Sequence, residues 1–246
     1  MKNDFIKTPN LPEKKVTLAA VGDYPRIIEA LIKEGIKTVS FTSSVLSDEV
    51  KRHQDMLLCH LGKDIVFIDP SQNGEILKKE GFTVRFSSKL KENYPDDVKL
   101  NCAVSDTFFI CNRKTIDASL HDALIKEGKR AVYVNQGYTK CSVCFVTENA
   151  VITEDTGIYE ALKRSGIDTL LISKGDIYLS DSHYGFFGGS TGKTDKNTLA
   201  VTGKLSYHKD GKEISAFCEK HGVKIKELTD GRIIDVGSIL PLKEMR

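Results

Sequence analysis

A pattern that ends a helix and begins a strand recurs along this sequence of 246 residues. In each copy a stretch of mixed apolar and charged residues runs into a glycine, and a short apolar run follows. The five glycines are Gly35, Gly81, Gly128, Gly166 and Gly222. Glycine ends helices because it adopts the left-handed backbone conformation without steric cost. Self-similarity at an interval of roughly 40–50 residues indicates a repeat architecture, so the sequence predicts five copies of one unit.

The fourth copy shows the whole unit. Two apolar runs are separated by the polar pair Glu148-Asn149, which is typical of two strands joined by a tight turn. Ile158, Ala161 and Leu162 then follow the spacing of one helix face. The predicted order is therefore strand, strand, helix, strand, with the strands at Val143–Thr147, Ala150–Thr153 and Thr169–Ile172.

Strand pairs are predicted before three of the other helix ends. They are Met56–Leu61 with Asp64–Ile68, Ala103–Val104 with Thr107–Cys111, and Thr198–Thr202 with Leu205–Tyr207. The first copy shows only Val16–Val21. We interpret residues 1–13 as an arm and residues 14–246 as a single five-repeat α/β domain. The alternative is an ordinary α/β chain in which such helix ends recur by chance. Asp210 and Glu213 have the spacing of a capping box.

Composition excludes several classes of protein. Hydrophobic residues make up 40% and charged residues 28%, as in globular proteins generally, and the net charge of +2 does not favour nucleic acid. No apolar run approaches the ~20 residues that span a membrane. The N-terminal residues lack the apolar core of a signal peptide, so we expect a cytoplasmic protein. The oligomeric state stays open, a homodimer included.

Two short motifs suggest chemistry that their context does not favour. Gly188–Thr194 resembles a phosphate-binding loop, but its glycines are one residue too close and it leads into a strand. A glycine-rich turn that allows close backbone approach is the simpler interpretation. Cys141 and Cys144 form a lone C-x-x-C without the second pair that zinc requires. Cys141 alone stands beside Lys140, whose charge favours a thiolate; a buried structural cysteine is the alternative.

His53 and Asp55 stand just before the first strand of the second repeat. An imidazole beside a carboxylate forms either a proton-transfer site or a hydrogen-bonded surface pair. In its repeats and in these motifs the chain resembles the penteins, the five-bladed ββαβ propellers of guanidino-group-modifying enzymes. Within them the chain is similar to a clostridial-type group with that fold. The match covers about residues 14–243 and includes the His-x-Asp motif at His53 and a cysteine before an apolar strand at Cys141.

The resemblance implies a site at the inner ends of the blades, around a central channel. It implies Cys141 as nucleophile and His53 as acid and base, acting on a small cationic guanidino compound without a metal or organic cofactor. Asp55 would hold the substrate, with Asp195 and Glu13 as further candidates. The departure is the closing strand, residues 235–242, where such deiminases carry their cysteine and this chain has none.

Two hypotheses follow. In the first, the catalytic set is rotated around the ring, and the protein is a cysteine hydrolase, a deiminase or an amidinotransferase. In the second, catalysis is lost and the same scaffold binds a ligand or partner, as the ribosome-binding translation factors with this propeller do.

Overall fold

The computed structural model describes residues 3–180 and 183–246. Its strands are β1 (Asn3–Phe5), β2 (Val16–Ala20), β3 (Lys37–Val39), β4 (Leu58–Gly62), β5 (Ile65–Ile68), β6 (Thr83–Phe86), β7 (Ala103–Val104), β8 (Phe108–Cys111), β9 (Arg130–Tyr133), β10 (Cys144–Thr147), β11 (Ala150–Thr153), β12 (Asp168–Leu171), β13 (Thr191–Asp195), β14 (Thr198–Val201), β15 (Lys224–Glu227) and β16 (Leu240–Met245). The helices are α1 (Pro25–Lys33), α2 (Gln54–Leu57), α3 (Glu75–Lys79), α4 (Ala118–Lys126), α5 (Thr156–Arg164) and α6 (Gly211–Lys220), with 3-10 turns at Gly188–Ser190 and Leu205–Tyr207. No helix in these ranges is both long and apolar enough to span a bilayer.

The described strands form five small sheets with one common pattern. In the second unit, β4 pairs antiparallel with β5, and β5 pairs parallel with β6 across the connection that contains α3. The same order of pairing occurs in the third, fourth and fifth units. The predicted strand–strand–helix–strand unit is therefore confirmed, and we call each copy a blade.

The first blade is completed by the two ends of the chain. β16 pairs antiparallel with β2. β16 therefore supplies the first strand that the sequence pattern lacks near residue 16. β1 then adds to the outer edge of β16, so this sheet has four strands. The beginning of the predicted N-terminal arm is thus part of a sheet.

The hydrophobic core shows that the blades close into a ring. In the part of the chain that the structure describes, it consists of five clusters of buried side chains, and each cluster contains residues from two successive blades and from the helix of the later one. The cluster around Val16 and Ala19 of the first blade also includes Ala200 of the fifth. Each sheet therefore buries its faces against its neighbours, and the last blade packs on the first.

The helix ends follow the predicted glycine pattern. Gly35, Gly81, Gly128, Gly166 and Gly222 all have φ between 70° and 89°, the left-handed region in which side chains with a Cβ are strained. Asp210 is the N-cap of α6, as its spacing predicts, but its side chain makes no capping hydrogen bond. Its side chain accepts from the amide of Ser173 instead, while Asp155 caps α5 by accepting from Ile158.

The hairpin predicted at Thr198–Tyr207 is wrong. Both edges of β14 are occupied, because β13 pairs with one edge and β15 with the other. The chain after Gly203 turns away against the backbone of Arg232 and forms a 3-10 turn. The first strand of the fifth blade is therefore β13, which overlaps the segment whose sequence predicts a glycine-rich turn.

Candidate active site

The residues just before the first strand of each blade meet near the ring axis. This position follows from the repeat, since equivalent points of five blades around a channel all face the same axis. The second blade contributes Asp55 from α2, the third Asn101, the fourth Lys140 and Cys141, the fifth Gly188 and Gly189, and the first Ser238. Hydrogen bonds connect all five positions, and we call this connected set the axial network.

Asn101 fixes the position of the Cys141 thiol. Its side-chain oxygen accepts from the backbone amides of Lys140 and Cys141 at 2.6 and 3.3 Å. Its side-chain nitrogen lies 3.0 Å from Cys141 Sγ and 3.1 Å from the carbonyl of Asp55. A donor directed at the sulfur favours the thiolate over the thiol, so Asn101 both positions the nucleophile candidate and supports its charged form.

Lys140 and Asp55 are linked through Ser238. The ammonium of Lys140 donates to Ser238 Oγ at 2.9 Å, and Ser238 Oγ donates to Asp55 Oδ2 at 2.6 Å. All three side chains are buried. A buried carboxylate needs a nearby cation or donors to offset its lost hydration, and this relay provides both. Lys140 therefore lies behind Asp55, not against the sulfur as the sequence suggested.

His53 is the N-cap of α2 and lies against Asp235, with 3.7 Å between Nδ1 and Oδ1. The carboxylate of Asp235 is held by the amides of Phe186 and Gly237, at 2.8 and 3.0 Å. Nε2 of His53 is buried and has no hydrogen-bond partner among the described residues. One ring nitrogen is therefore available for a ligand or a proton.

Cys141 and His53 line one cavity of about 520 Å³. This is a usual size for a small-molecule site. Asp235 and Asp97 also line it, and Asp97 holds the hydroxyl of Tyr138 at 2.7 Å while its Oδ1 has no partner in the described part of the chain. Tyr94, Tyr138 and Phe186 form an aromatic wall, and Glu49 and Glu92 contribute further carboxylates. The cavity thus combines a thiol, an imidazole and acidic groups.

Burial favours the uncharged forms of the titratable groups in this site. Burial raises the pKa of the Cys141 thiol well above its usual value, and the charges of Asp55 and Asp235 raise it further. Burial lowers the pKa of His53, so its ring is neutral at rest, and raises the pKa of Asp235 to about 6. Burial also raises the pKa of Asp55, which its Lys140 and Ser238 contacts oppose. A cation that enters the cavity offsets the charges of Asp55 and Asp235 and so lowers the pKa of the Cys141 thiol.

The structure brings together three of the five residues predicted for the site. Cys141, His53 and Asp55 are 2%, 1% and 1% exposed, so His53 and Asp55 are not the surface pair considered above. Glu13 lines a separate cavity of about 280 Å³ and forms an ion pair with Lys196. Asp195 ends β13 and accepts from the amide of Asn197. Neither residue lines the cavity of Cys141.

Sequence reasoning did not identify Asn101, Asp97, Asp235 or Ser238. Asn101 could have been found, because it stands two residues before β7, close to the place that Cys141 occupies three residues before β10. Ser238 likewise stands two residues before β16, within the closing segment where the resemblance expects a cysteine. Asp97 and Asp235 lie in loops, and no repeat position marks them.

The glycine-rich segment packs backbone against backbone, as its simpler interpretation predicted. A Cβ on Gly188 would stand 2.5 Å from the carbonyl oxygens of both Cys141 and Val143. The amide of Gly189 donates to the carbonyl of Cys141 at 2.7 Å. The segment therefore supports the turn that carries the cysteine. Cys144 packs in a different hydrophobic cluster from Cys141.

A protein-family model matches residues 22–240 of this chain, and its description is "Family of unknown function (DUF6873)". The chain belongs to this family. No protein with a curated description matches the DUF6873 sequence.

Solved structures of a deiminase, an amidinotransferase and a DDAH share this fold. The C. jejuni agmatine deiminase is 10% identical with a TM-score of 0.57, over 93% of this chain and 91% of the other. The inosamine-phosphate amidinotransferase from Streptomyces griseus is 10% identical with a TM-score of 0.55, over 96% of both chains. The DDAH from Pseudomonas aeruginosa, complexed with citrulline, is 10% identical with a TM-score of 0.51, over 88% and 92%. This chain therefore has the pentein fold.

Glu154 is a further buried acid near the site of the DUF6873 protein. It follows β11, its Oε2 accepts from the amide of Phe187 at 3.4 Å, and its Oε1 has no partner among the residues described. Burial raises its pKa to about 8. Folding therefore favours the protonated acid, and this group makes the folded state less stable as pH rises from the ordinary carboxyl pKa towards 8.

We expect Glu154→Gln to remove that pH dependence. The variant gains about 2 kcal/mol over the parent protein at pH 9, after allowing for local relaxation, and almost nothing near pH 5. Denaturant unfolding at several pH values between 5 and 9 measures the difference. Parallel stability curves for the two proteins would show that Glu154 ionises normally in the fold.

Proposed function

We propose that this protein is a cysteine-dependent hydrolase or amidinotransferase that acts on a small guanidino or amidino compound. The observation that carries the proposal is the convergence of Cys141, His53, Asp97 and Asp235 on one cavity. A nucleophile, a neutral base and carboxylates are the groups that attack on a planar cationic carbon requires. The fold shared with deiminases and amidinotransferases supports this chemistry, although a fold does not by itself assign a function.

Carboxylates at this cavity suit a guanidinium. Each carboxylate oxygen accepts a hydrogen bond from the N–H groups of the cation, and charge-assisted bonds of this kind are strong. Asp97 Oδ1 is buried and unpartnered within the described chain, so it has an open acceptor position. Asp235 lies on the same cavity beside His53. We assign substrate binding to these two acids, with Asp55 behind them in the axial network.

Substrate binding itself would activate the thiol. In the free protein the charges of Asp55 and Asp235 oppose ionisation of Cys141. A bound guanidinium offsets those charges and lowers the thiol pKa. The thiol proton then passes to the neutral ring of His53, and Asp55 and Asp235 stabilise the imidazolium formed.

The reaction then proceeds in two halves. Cys141 Sγ forms a bond to the guanidino carbon, the bond from that carbon to the leaving nitrogen breaks, and His53 gives its proton to the departing amine. In the second half His53 takes a proton from water, the oxygen attacks the thiouronium carbon, and the C–S bond breaks to release a urea. An amine in place of water gives amidino transfer.

The competing hypothesis is a binding protein on the same scaffold. The 2% exposure of Cys141 and its raised pKa favour this alternative, because a reactive thiolate needs access and a lowered pKa. The two hypotheses differ in one measurable property: an enzyme of this kind exposes a reactive thiolate to a planar cation, and a binding protein does not.

Alkylation by 2-chloroacetamidine tests this property. The reagent is a planar cation, and 2-chloroacetamide is its neutral counterpart with the same leaving group. We expect Cys141 to react with the amidine at least about ten-fold faster than with the amide, after correction for the same ratio at a free thiol. Peptide mass spectrometry locates the label against the other five cysteines, all of which are buried. Equal corrected rates would support the binding protein.

Variants identify the groups responsible. His53→Ala and Asp235→Asn are expected to slow the amidine reaction by about ten-fold or more, which corresponds to at least ~1.4 kcal/mol of transition-state stabilisation. Asp230→Asn is the matched control, since it removes the same charge from an exposed ion pair with Lys204. Its rates should equal those of the parent protein. A slow Asp230→Asn would indicate a general charge effect instead of a site.

A further inference from the structure

We infer that the substrate carries a second positive charge at the end remote from its guanidino group. This inference rests on the proposed function and adds the chemical class of the substrate. The observation behind it is the composition of the outer cavity wall, which is acidic and aromatic. Glu49 and Glu92, which are more exposed than the buried acids Asp97 and Asp235, define this outer wall.

The wall offers no partner for a carboxylate. Among the residues that the structure describes, no lysine or arginine lines this cavity. The nearest buried ammonium, that of Lys140, is engaged by Ser238 and two backbone carbonyls within the axial network. A guanidino compound with a terminal carboxylate would therefore place an anion beside four carboxyl groups without a cation to bind it, which like-charge repulsion opposes.

The aromatic wall suits the chain and the cation of such a substrate. Tyr138 lies between two other rings, with centroid distances of 6.3 Å to Tyr94 and 6.1 Å to Phe186. The ring of Phe186 is inclined by only 22° to that of Tyr138, and the two rings are stacked. Aromatic faces attract ammonium and guanidinium groups and also bury methylenes.

The two outer acids differ in how they are held. Glu49 accepts from Ser180 Oγ at 2.8 Å and lies 3.3 Å from Nδ1 of His183. Glu92 is exposed and makes no hydrogen bond or ion pair within the described residues. Glu92 is therefore the group that a distal cation would engage with least rearrangement. The class of substrate is a linear dication, an aminoalkylguanidine or a bis-guanidine.

Three compounds of equal chain length test the inference. They are 4-aminobutylguanidine, n-butylguanidine and 4-guanidinobutyrate, which end in an amine, a methyl group and a carboxylate. Each is titrated as a protectant of Cys141 against 2-chloroacetamidine, and its binding is measured independently by calorimetry. We expect the amine to bind at least about ten-fold more tightly than the methyl compound, and the carboxylate to bind most weakly. The preference should decrease as salt is raised.

Glu92→Gln is expected to remove most of the preference for the amine while n-butylguanidine binds as before. Glu75→Gln is the control, because Glu75 is exposed on α3 and pairs with Lys78 away from the cavity. Equal binding of the three compounds, or preference for the carboxylate, overturns the inference. If Cys141 labels selectively but the three compounds do not differ, the proposed function stands and only this inference fails. If labelling is unselective, the proposed function fails, and calorimetry alone decides whether the cavity prefers dications.

Discussion

Replacing Gly237 with alanine is expected to lower the free energy of unfolding by more than about 4 kcal/mol or to prevent folding. Gly237 has φ of 71°, and a Cβ at this position would overlap the backbone and Cβ of His53. The clash involves backbone atoms that cannot rotate away. The carbonyl of Gly237 also accepts from the amide of Asp55 at 3.1 Å, so any shift displaces both predicted site residues of the second blade.

Gly166→Ala is the matched control for this substitution. Gly166 has φ of 76°, nearly the same as Gly237, but an added Cβ meets nothing within 4 Å. It should cost only the strain of a left-handed alanine, about 1–2 kcal/mol. Denaturant unfolding of both variants separates the strain from the clash. Similar losses in the two proteins would show that the contact with His53 adjusts easily, and an insoluble Gly237→Ala beside a folded Gly166→Ala agrees with the prediction.

The fold could be predicted because its signals are local. A left-handed glycine at each helix end and a polar turn between two apolar runs are properties of short segments, and together they mark the second, third and fourth blades directly. The first blade was incomplete because its first strand, β16, comes from the other end of the chain. No local pattern near Val16 reports that partner. The misassigned hairpin of the fifth blade has a different origin, because β13 lies directly before β14 but its glycine-rich sequence favours a turn over a strand.

The site was partly predictable for a geometric reason. A residue just before the first strand of a blade lies near the axis at one end of the ring, which identifies Cys141 and Asp55. Glu13 precedes β2, the second strand of its blade, and β2 runs antiparallel to β16, so Glu13 lies at the opposite end. Asp195 ends a first strand and also points away from the Cys141 end. Sequence spacing identifies the blade to which a residue belongs, but it does not by itself show at which end of the ring the residue lies.

Lys140→Met is the second substitution with a large expected effect. The substitution removes the ammonium that donates to Ser238. Asp55 then keeps its hydrogen bond from Ser238 but loses the cation linked to it through that hydroxyl. Lys140 and Asp55 are bridged by Ser238 and are not in direct contact, but both are buried, so we expect a loss of about 3–5 kcal/mol, as for a buried ion pair that loses one partner. Lys204→Met is the matched control, since Lys204 pairs with Asp230 at the surface, and it should change stability by less than about 0.5 kcal/mol.

The pH dependence of this loss identifies its cause. Burial already raises the pKa of Asp55, and without Lys140 it rises further. The folded variant then holds a proton that the unfolded chain releases above the ordinary carboxyl pKa, so its stability falls as pH increases. The difference between Lys140→Met and the parent protein should therefore be smallest near pH 4 and grow towards pH 8. A loss independent of pH would mean that the methionine disturbs packing instead.

A double-mutant cycle with Asp55→Asn completes the test. If Lys140 mainly compensates the charge of Asp55, the double variant loses less stability than the sum of the single variants, by about 1–3 kcal/mol. Additive losses would mean that Lys140 serves its other acceptors, the carbonyls of Val143 and Gly188. The same variants bear on function, because Asp55 raises the pKa of Cys141. Asp55→Asn should then ease ionisation of the thiol and increase its reaction with neutral chloroacetamide, whereas Lys140→Met should not.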